Sequence, residues 1–231
     1  METGREVLTL LTSFDPALWG IVGLSLQVSL LAVAFAAIIG APLGAALAIW
    51  SFPGRRLALL LLSTFMGLPP VVVGLCFYLL LSRAGPLGEF GLLFTPTAMV
   101  LAQTALVLPI VATLTHQAVR PLLRDYADLM DSVGARGGLR LRTLLWDARF
   151  AVATALLAGF GRAVAEVGAV LIVGGNINGH TRVMTTAIAM ETSKGALELA
   201  LALGVVLLLL ALAGNAATMG LTAFGRRYED A

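Results

Sequence analysis

The chain has 231 residues, of which 59 % are hydrophobic and only 12 % charged, against about 25 % charged in an ordinary soluble domain. So few charges could not solvate the surface of a soluble protein of this size, and a net charge of +2 is too small and too dispersed to mark a nucleic-acid partner. The lone cysteine, Cys76, excludes a disulfide framework, and His116 and His180 lie on separate segments with no metal-ligand spacing around them.

Where the charges fall is more informative than how many there are. None occurs in residues 16–54, 57–82, 90–119 or 199–225, and ~20 apolar residues cross the hydrocarbon of a bilayer. The run 150–176 also qualifies, apart from Arg162 and Glu166. The expectation is an all-α, multi-pass membrane protein of one domain, 1–231, embedded in the lipid bilayer. Its spans are placed at 18–50, 57–82, 95–117, 150–175 and 198–218. The N-terminus is a poor signal peptide, because it carries Glu2, Arg5, Glu6 and Asp15 before an apolar run far longer than an h-region.

In chain order, the first span is long, and Gly40 and Pro42 offer it a bend. The second is interrupted at Pro69 and Pro70, neither of which has an N–H to donate. The freed carbonyls need partners, so this break is expected to face protein or a wet path. After the third span comes 119–149, long for a connector. Its residues 122, 123, 126, 129, 130 and 133 are apolar at helical spacing, and Gly134 is placed to end that helix. Such a helix suits docking into a soluble partner or lying at the membrane surface. In the fourth span Arg162 and Glu166 are four apart, so they share a helix face and pair, as a pathway element or as a structural lock.

The segment 174–181 nearly spells a phosphate-binding loop, with Gly174, Gly179, His180 and Thr181. Histidine stands where the phosphate-binding lysine belongs, and the segment follows a span rather than a strand, so that reading is rejected. Residues 181–195 are hydroxyl-rich, with Gly195 as a helix stop. Their backbone N–H groups, hydroxyls and Arg182 suit a tetrahedral oxyanion; an ordinary outer-loop helix is the alternative. Ten basic residues on one set of loops (Arg55, Arg56, Arg120, Arg124, Arg136, Arg140, Arg142, Arg149, Arg226, Arg227) oppose four on the other (Arg5, Arg83, Arg182, Lys194). The richer side is expected to be cytoplasmic, with the N-terminus outside, the C-terminus inside and loop 119–149 in the cytoplasm.

Two motifs carry a family resemblance. Residues 126–136, with Asp128 and then Gly134 six positions later, resemble the EAA loop of ABC-importer permeases, although Asp replaces Glu, Leu129-Met130 replace two alanines, and Trp146-Asp147 stands for the usual Leu-Pro. Residues 161–169, with Arg162, Glu166, Gly168 and Ala169, are similar to the signature of molybdate, sulfate and tungstate permeases. The runs 68–75, 174–177 and 185–192 resemble the tungstate branch more than the molybdate one.

The resemblance implies a type I ABC-importer permease fold in the plasma membrane of a prokaryote. It implies a homodimer, two cytoplasmic ABC ATPase subunits and an extracytoplasmic oxyanion-binding protein. ATP and Mg²⁺ would bind the ATPase; this chain would hold no cofactor, metal or catalytic residue. Ala127, Asp128, Asp131, Gly134, Ala135 and Arg136 would couple to the ATPase. Pro69, Pro70, Arg162, Glu166, Asn176, Asn178, Thr181 and Arg182 would shape the path or its gate. The expected function is import of tungstate, with molybdate or sulfate as alternatives. An ion-coupled secondary transporter or channel is the rival class, weakened by the long charged loop and the lack of a visible repeat. A membrane scaffold is weakened by the Pro69-Pro70 break and the intramembrane charges.

Overall fold

The computed structural model describes residues 7, 9–13 and 15–229, with side chains as far as Gly225. All regular elements among the described residues are helices. They are α1 (Pro16–Ile49), α2 (Arg55–Met66), α3 (Pro70–Leu81), a 3₁₀ turn (Gly88–Phe90), α4 (Pro96–Asp125), α5 (Ala127–Ser132), α6 (Gly137–Asp147), α7 (Arg149–Val164), α8 (Gly168–Gly174), α9 (Met184–Lys194) and α10 (Leu197–Glu229). By length and composition α1, α4 and α10 each suffice to cross a membrane, and the total reaches five if the bent pairs α2–α3 and α6–α7 each count as one span.

The helices depart from the expected spans in instructive ways. α1 begins where Asp15 Oδ1 accepts the N–H groups of Ala17 and Leu18 at 2.8 and 3.1 Å, relieving two of the donors that every helix start leaves unpaired. It continues through Gly40 and Pro42 without ending. Its last turn is closed by Arg55, whose Nε donates to Leu47 O at 2.6 Å and whose guanidinium also reaches Ala48 O, a cation on the negative end of the helix. The second span is interrupted where expected, α2 ending at Met66 and α3 beginning at Pro70. Gly67 and Leu68 close the end of α2, and Pro69 in extended conformation leads into α3 with Pro70 at its first position, where a missing N–H costs nothing. Pro69 is exposed and Pro70 half-buried in the single chain.

The third helix does not stop at 117; it runs to Asp125 with Pro109 and Pro121 inside it. The fourth expected span, 150–175, is broken: α7 ends at Val164 and α8 restarts at Gly168. α10 extends well beyond 218. The region 119–149 is mostly helical, and its expected helix 122–133 is divided at Tyr126, with α4 ending before it and α5 starting after it. Of the basic residues used for orientation, Arg5 and the side chains of Arg226 and Arg227 lie outside the described residues.

The chain divides into two compact units: one holds residues up to 32, 69–103 and 161–213, the other 33–68, 104–160 and those from 214 onward. Each is built on close helix contact through small residues. In lipid the hydrophobic effect does not drive helices together, so backbone approach and dispersion must. In the second unit, a Cβ on Gly44 would sit 2.1 Å from Ala112 O, and one on Gly40 would sit 3.1 Å from Leu108 O. The spacing of those two glycines places both on one face of α1 against α4. In the first unit, a Cβ on Gly74 would sit 2.8 Å from the Cα of Ala169, and one on Gly168 would sit 2.8 Å from Val71 Cγ2. α3 therefore packs backbone to backbone on α8, which is why the start of α8 is Gly168-Ala169.

Candidate functional site

In the first unit the site grows from the break between α7 and α8. A helix that stops leaves its last carbonyls without partners. Here the break supplies partners. Ala163 O accepts from Glu166 N at 3.2 Å and from Gln103 Nε2 at 3.0 Å. Glu166 O accepts from Thr185 Oγ1 at 2.7 Å. Glu166 Oε1 accepts from Ala169 N at 3.1 Å, capping the start of α8, and its Oε2 receives Arg162 at 2.5 Å. Every polar atom of Glu166 is thus engaged. The expectation that Arg162 and Glu166 share one helix face is corrected: they pair, but Glu166 lies beyond the helix end, because its carboxylate and carbonyl bond elsewhere in place of the helical ladder. The glutamate side chain is 2 % exposed and the arginine 33 %, so the acid is locked inside while the base keeps an open side.

α3 flanks this break. A Cβ on Gly168 would meet Val71 and lie 3.6 Å from Glu166 Oε1. Pro69 and Pro70, at the expected interruption, form the start of α3, whose next residue, Val71, meets Gly168.

The loop after α8 is wound tightly. Gly175 and Asn176 both take positive φ, 70° and 52°, and Phe94 N donates to Val173 O at 2.9 Å. Thr181 Oγ1 donates to Gly174 O at 2.5 Å and accepts from Ile177 N at 3.0 Å. The N–H groups of His180, Thr181 and Arg182 all point to Ile177 O, at 3.2, 2.9 and 3.1 Å. Three of the donors that the sequence offered to an anion, the N–H groups of Thr181 and Arg182 and the Thr181 hydroxyl, are thus spent on the loop itself, while Arg182 Nε has no partner among the described residues. The same holds at the start of α9, where Thr186 Oγ1 accepts Val183 N and Ser25 Oγ accepts Met184 N at 2.8 Å. Arg182 faces Glu191 at 3.8 Å, and Lys194 meets the same oxygen at 3.1 Å. Asn176 Nδ2 approaches Met190 Sδ at 3.3 Å. Asn178, Gly179, His180 and Arg182 remain along a cleft of about 210 Å³ whose other wall is the first turns of α1, from Pro16 to Leu24.

The second unit holds the other motif. α5 ends in a Schellman turn: Ala135 N donates to Met130 O at 2.8 Å, Gly134 N to Asp131 O at 3.2 Å, and Gly134 has φ +64°. Only glycine takes that conformation cheaply. Met130 and Ala135, the two ends of the motif, are buried together with Ala45, Ala48, Val119, Leu144 and Ala148. Asp131 pairs with Arg140 of α6 at 2.6 Å. Ala127 is half-buried, while Asp128 and Arg136 are exposed. Leu129, Val133 and Leu139, each about 60–70 % exposed, rim an apolar groove of about 300 Å³ with Tyr126, Thr143 and Asp147.

The two sets of site residues thus fall in separate units. Sequence reasoning missed Gln103, Ser25 and the role of Thr185, because each acts on a backbone group far away in sequence. Gln103 is buried, and its Oε1 has no partner among the described residues; leaving such an acceptor unpaired costs about 1–3 kcal/mol. A glutamine at the same depth as its neighbours on an apolar helix was the available signal.

No family model matches the chain. It is 44 % identical over 215 residues to a probable anion ABC transporter permease protein of Haloferax volcanii, covering 91 % of this chain and 90 % of that one. It is 42 % identical, over 93 % of this chain and 94 % of the relative, to the tungstate uptake system permease protein TupB of Peptoclostridium acidaminophilum. The protein of the same name from Campylobacter jejuni is 41 % identical over 72 % of this chain and 70 % of its own length. With identity at this level spread over nearly the whole chain and a multi-helical apolar fold to match, this protein belongs to the permease family of ABC transporters.

Proposed function

We propose that the chain is the membrane subunit of an ATP-driven importer for a tetrahedral oxyanion, and that the oxyanion is tungstate. The observation that carries the substrate is the 42 % identity, across almost the full length of both chains, to a permease named for tungstate uptake. The chain works as a homodimer in the plasma membrane of a prokaryote, with its N-terminus outside. Two cytoplasmic ATPase subunits bind ATP and Mg²⁺, and an extracytoplasmic binding protein delivers the anion.

The two sites divide the labour. α5 and its Gly134 turn present exposed apolar residues beside charged ones, a surface suited to an ATPase cleft. The Arg162–Glu166 joint and the 176–182 loop belong to the path. Arg162 supplies positive potential on its open side, and Glu166 prevents an isolated charge at membrane depth. An anion that must leave again is served by one partly neutralised arginine better than by a ring of free donors, which would hold it too tightly.

The test is accumulation of tungstate, molybdate and sulfate by cells with and without this gene, the ATPase gene being intact. Loss of tungstate uptake alone is the expected result. Loss of molybdate or sulfate instead moves the substrate within the family, and no change in any of them overturns the oxyanion reading.

A further inference from the structure

We propose that Gln103 and Thr185 are positioning residues for transport: their side chains hold the two backbone carbonyls at the α7–α8 break and so keep Arg162 and Glu166 in register. This rests on the reading of that break as part of the path. Gln103 reaches Ala163 O from 60 residues away, and Thr185 reaches Glu166 O from 19 residues away. Both side chains are buried.

Three features separate positioning from mere packing. Gln103 leaves its own Oε1 unpaired among the described residues. An apolar residue of the same shape would avoid that desolvation penalty, so the amide is retained for its donor. Thr185 holds the carbonyl of the very residue whose carboxylate receives Arg162. Thr185 also sits in the first turn of α9, next to Met184, whose N–H is fixed by Ser25 of α1. A shift of that turn is therefore passed to Glu166 through one hydroxyl, and from Glu166 to the half-open guanidinium of Arg162.

The experiment uses the complete transporter, with ATPase and binding protein, in vesicles supplied with tungstate; uptake and ATP turnover are both normalised to the amount of permease. Thr185→Val keeps the shape and removes the donor. It is expected to lower uptake per transporter at least tenfold while ATP turnover persists, and Thr185→Ser is expected to restore uptake to within about twofold. Gln103→Met, which removes the other donor, is expected to uncouple in the same way. Uptake per ATP equal to wild type in both Thr185→Val and Gln103→Met overturns the proposal, as does serine that rescues no better than valine.

Wild type that moves none of tungstate, molybdate and sulfate, each supplied in turn, defeats the functional reading separately. In that event spin labels at Gly161→Cys and Leu171→Cys, in a Cys76→Ser background, still decide. A distance distribution that broadens in Thr185→Val and narrows again in Thr185→Ser supports the proposal; an unchanged distribution overturns it.

Discussion

Substituting Gly134 separates what the turn needs from what a partner needs. Its φ is +64°, and a Cβ built there finds nothing within 4 Å. The penalty of Gly134→Ala is therefore purely conformational, about 1–2 kcal/mol for an L residue in the left-handed region. That is a minor fraction of the ~5–15 kcal/mol stability of a domain, so the permease still folds and inserts. Asparagine tolerates this region better than alanine, so thermal stability should fall in the order Gly, Asn, Ala. Transport should follow a different order if the bare surface of the turn meets the ATPase. Alanine adds least bulk there, asparagine more, and aspartate adds charge beside Asp131. The expected order of uptake is then Gly, Ala, Asn, Asp, with Gly134→Asp inactive though present in the membrane at near-normal amount. The assay is uptake per permease, alongside co-purification of the ATPase. Normal uptake by Gly134→Asp refutes the coupling role, and an uptake order that tracks stability reduces Gly134 to a fold residue.

Other predictions follow from the same geometry. Gly74→Val drives a side chain into the Cα of Ala169, 2.8 Å from the Cβ position; overpacking of this kind costs about 1–3 kcal/mol and should lower the midpoint of thermal aggregation, so an unchanged midpoint would contradict the α3–α8 contact. Glu166→Ala should impair uptake far more than Glu89→Ala, which lies on an exposed 3₁₀ turn; equal, mild effects in a transport assay would leave the Arg162 pair as a packing lock alone. Asp131→Ala breaks a pair whose acid is 75 % exposed, worth at most about 1 kcal/mol, so a large drop in stability would mean that Asp131 has a further partner.

The apolar runs alone disclosed an all-helical membrane protein, because lipid leaves the backbone no other way to satisfy itself over such lengths. Of the helix ends within those runs, the sequence disclosed the one at Pro69-Pro70, where α2 gives way to α3, but not the one at Glu166. Pro42, Pro109 and Pro121 lie within helices that continue, whereas the break at Glu166 has no proline at all. That break is made by competition: the Glu166 carboxylate takes the Ala169 N–H three residues on, and Thr185 takes the Glu166 carbonyl from 19 residues away, a contact that depends on the fold. Gly134 was legible because a Schellman turn is local, closed within six residues. Gln103 was not, because its partner lies on another helix.

The glycine-rich run 174–181 shows the same limit from the other side. By composition it nearly spells a phosphate loop, a reading that His180 in the place of the lysine argues against, and only its last residue, Thr181, belongs to the segment 181–195 that suits an oxyanion. In the folded chain three successive N–H groups converge on Ile177 O, and the Thr181 hydroxyl closes onto Gly174 O. These three N–H groups and the Thr181 hydroxyl are thus taken up within the loop, whereas Arg182 Nε has no partner among the described residues. The expected contribution of the loop to transport is therefore the placing of Arg182 and Asn178 along the cleft, rather than a cradling of the anion by those N–H groups. Thr181→Val tests this: it removes the loop closure without touching the cleft wall. It should loosen the loop and slow uptake, while Thr181→Ser, which restores the closure, should return both. Uptake that falls in Thr181→Val with loop mobility unchanged would mean that the hydroxyl meets the anion directly.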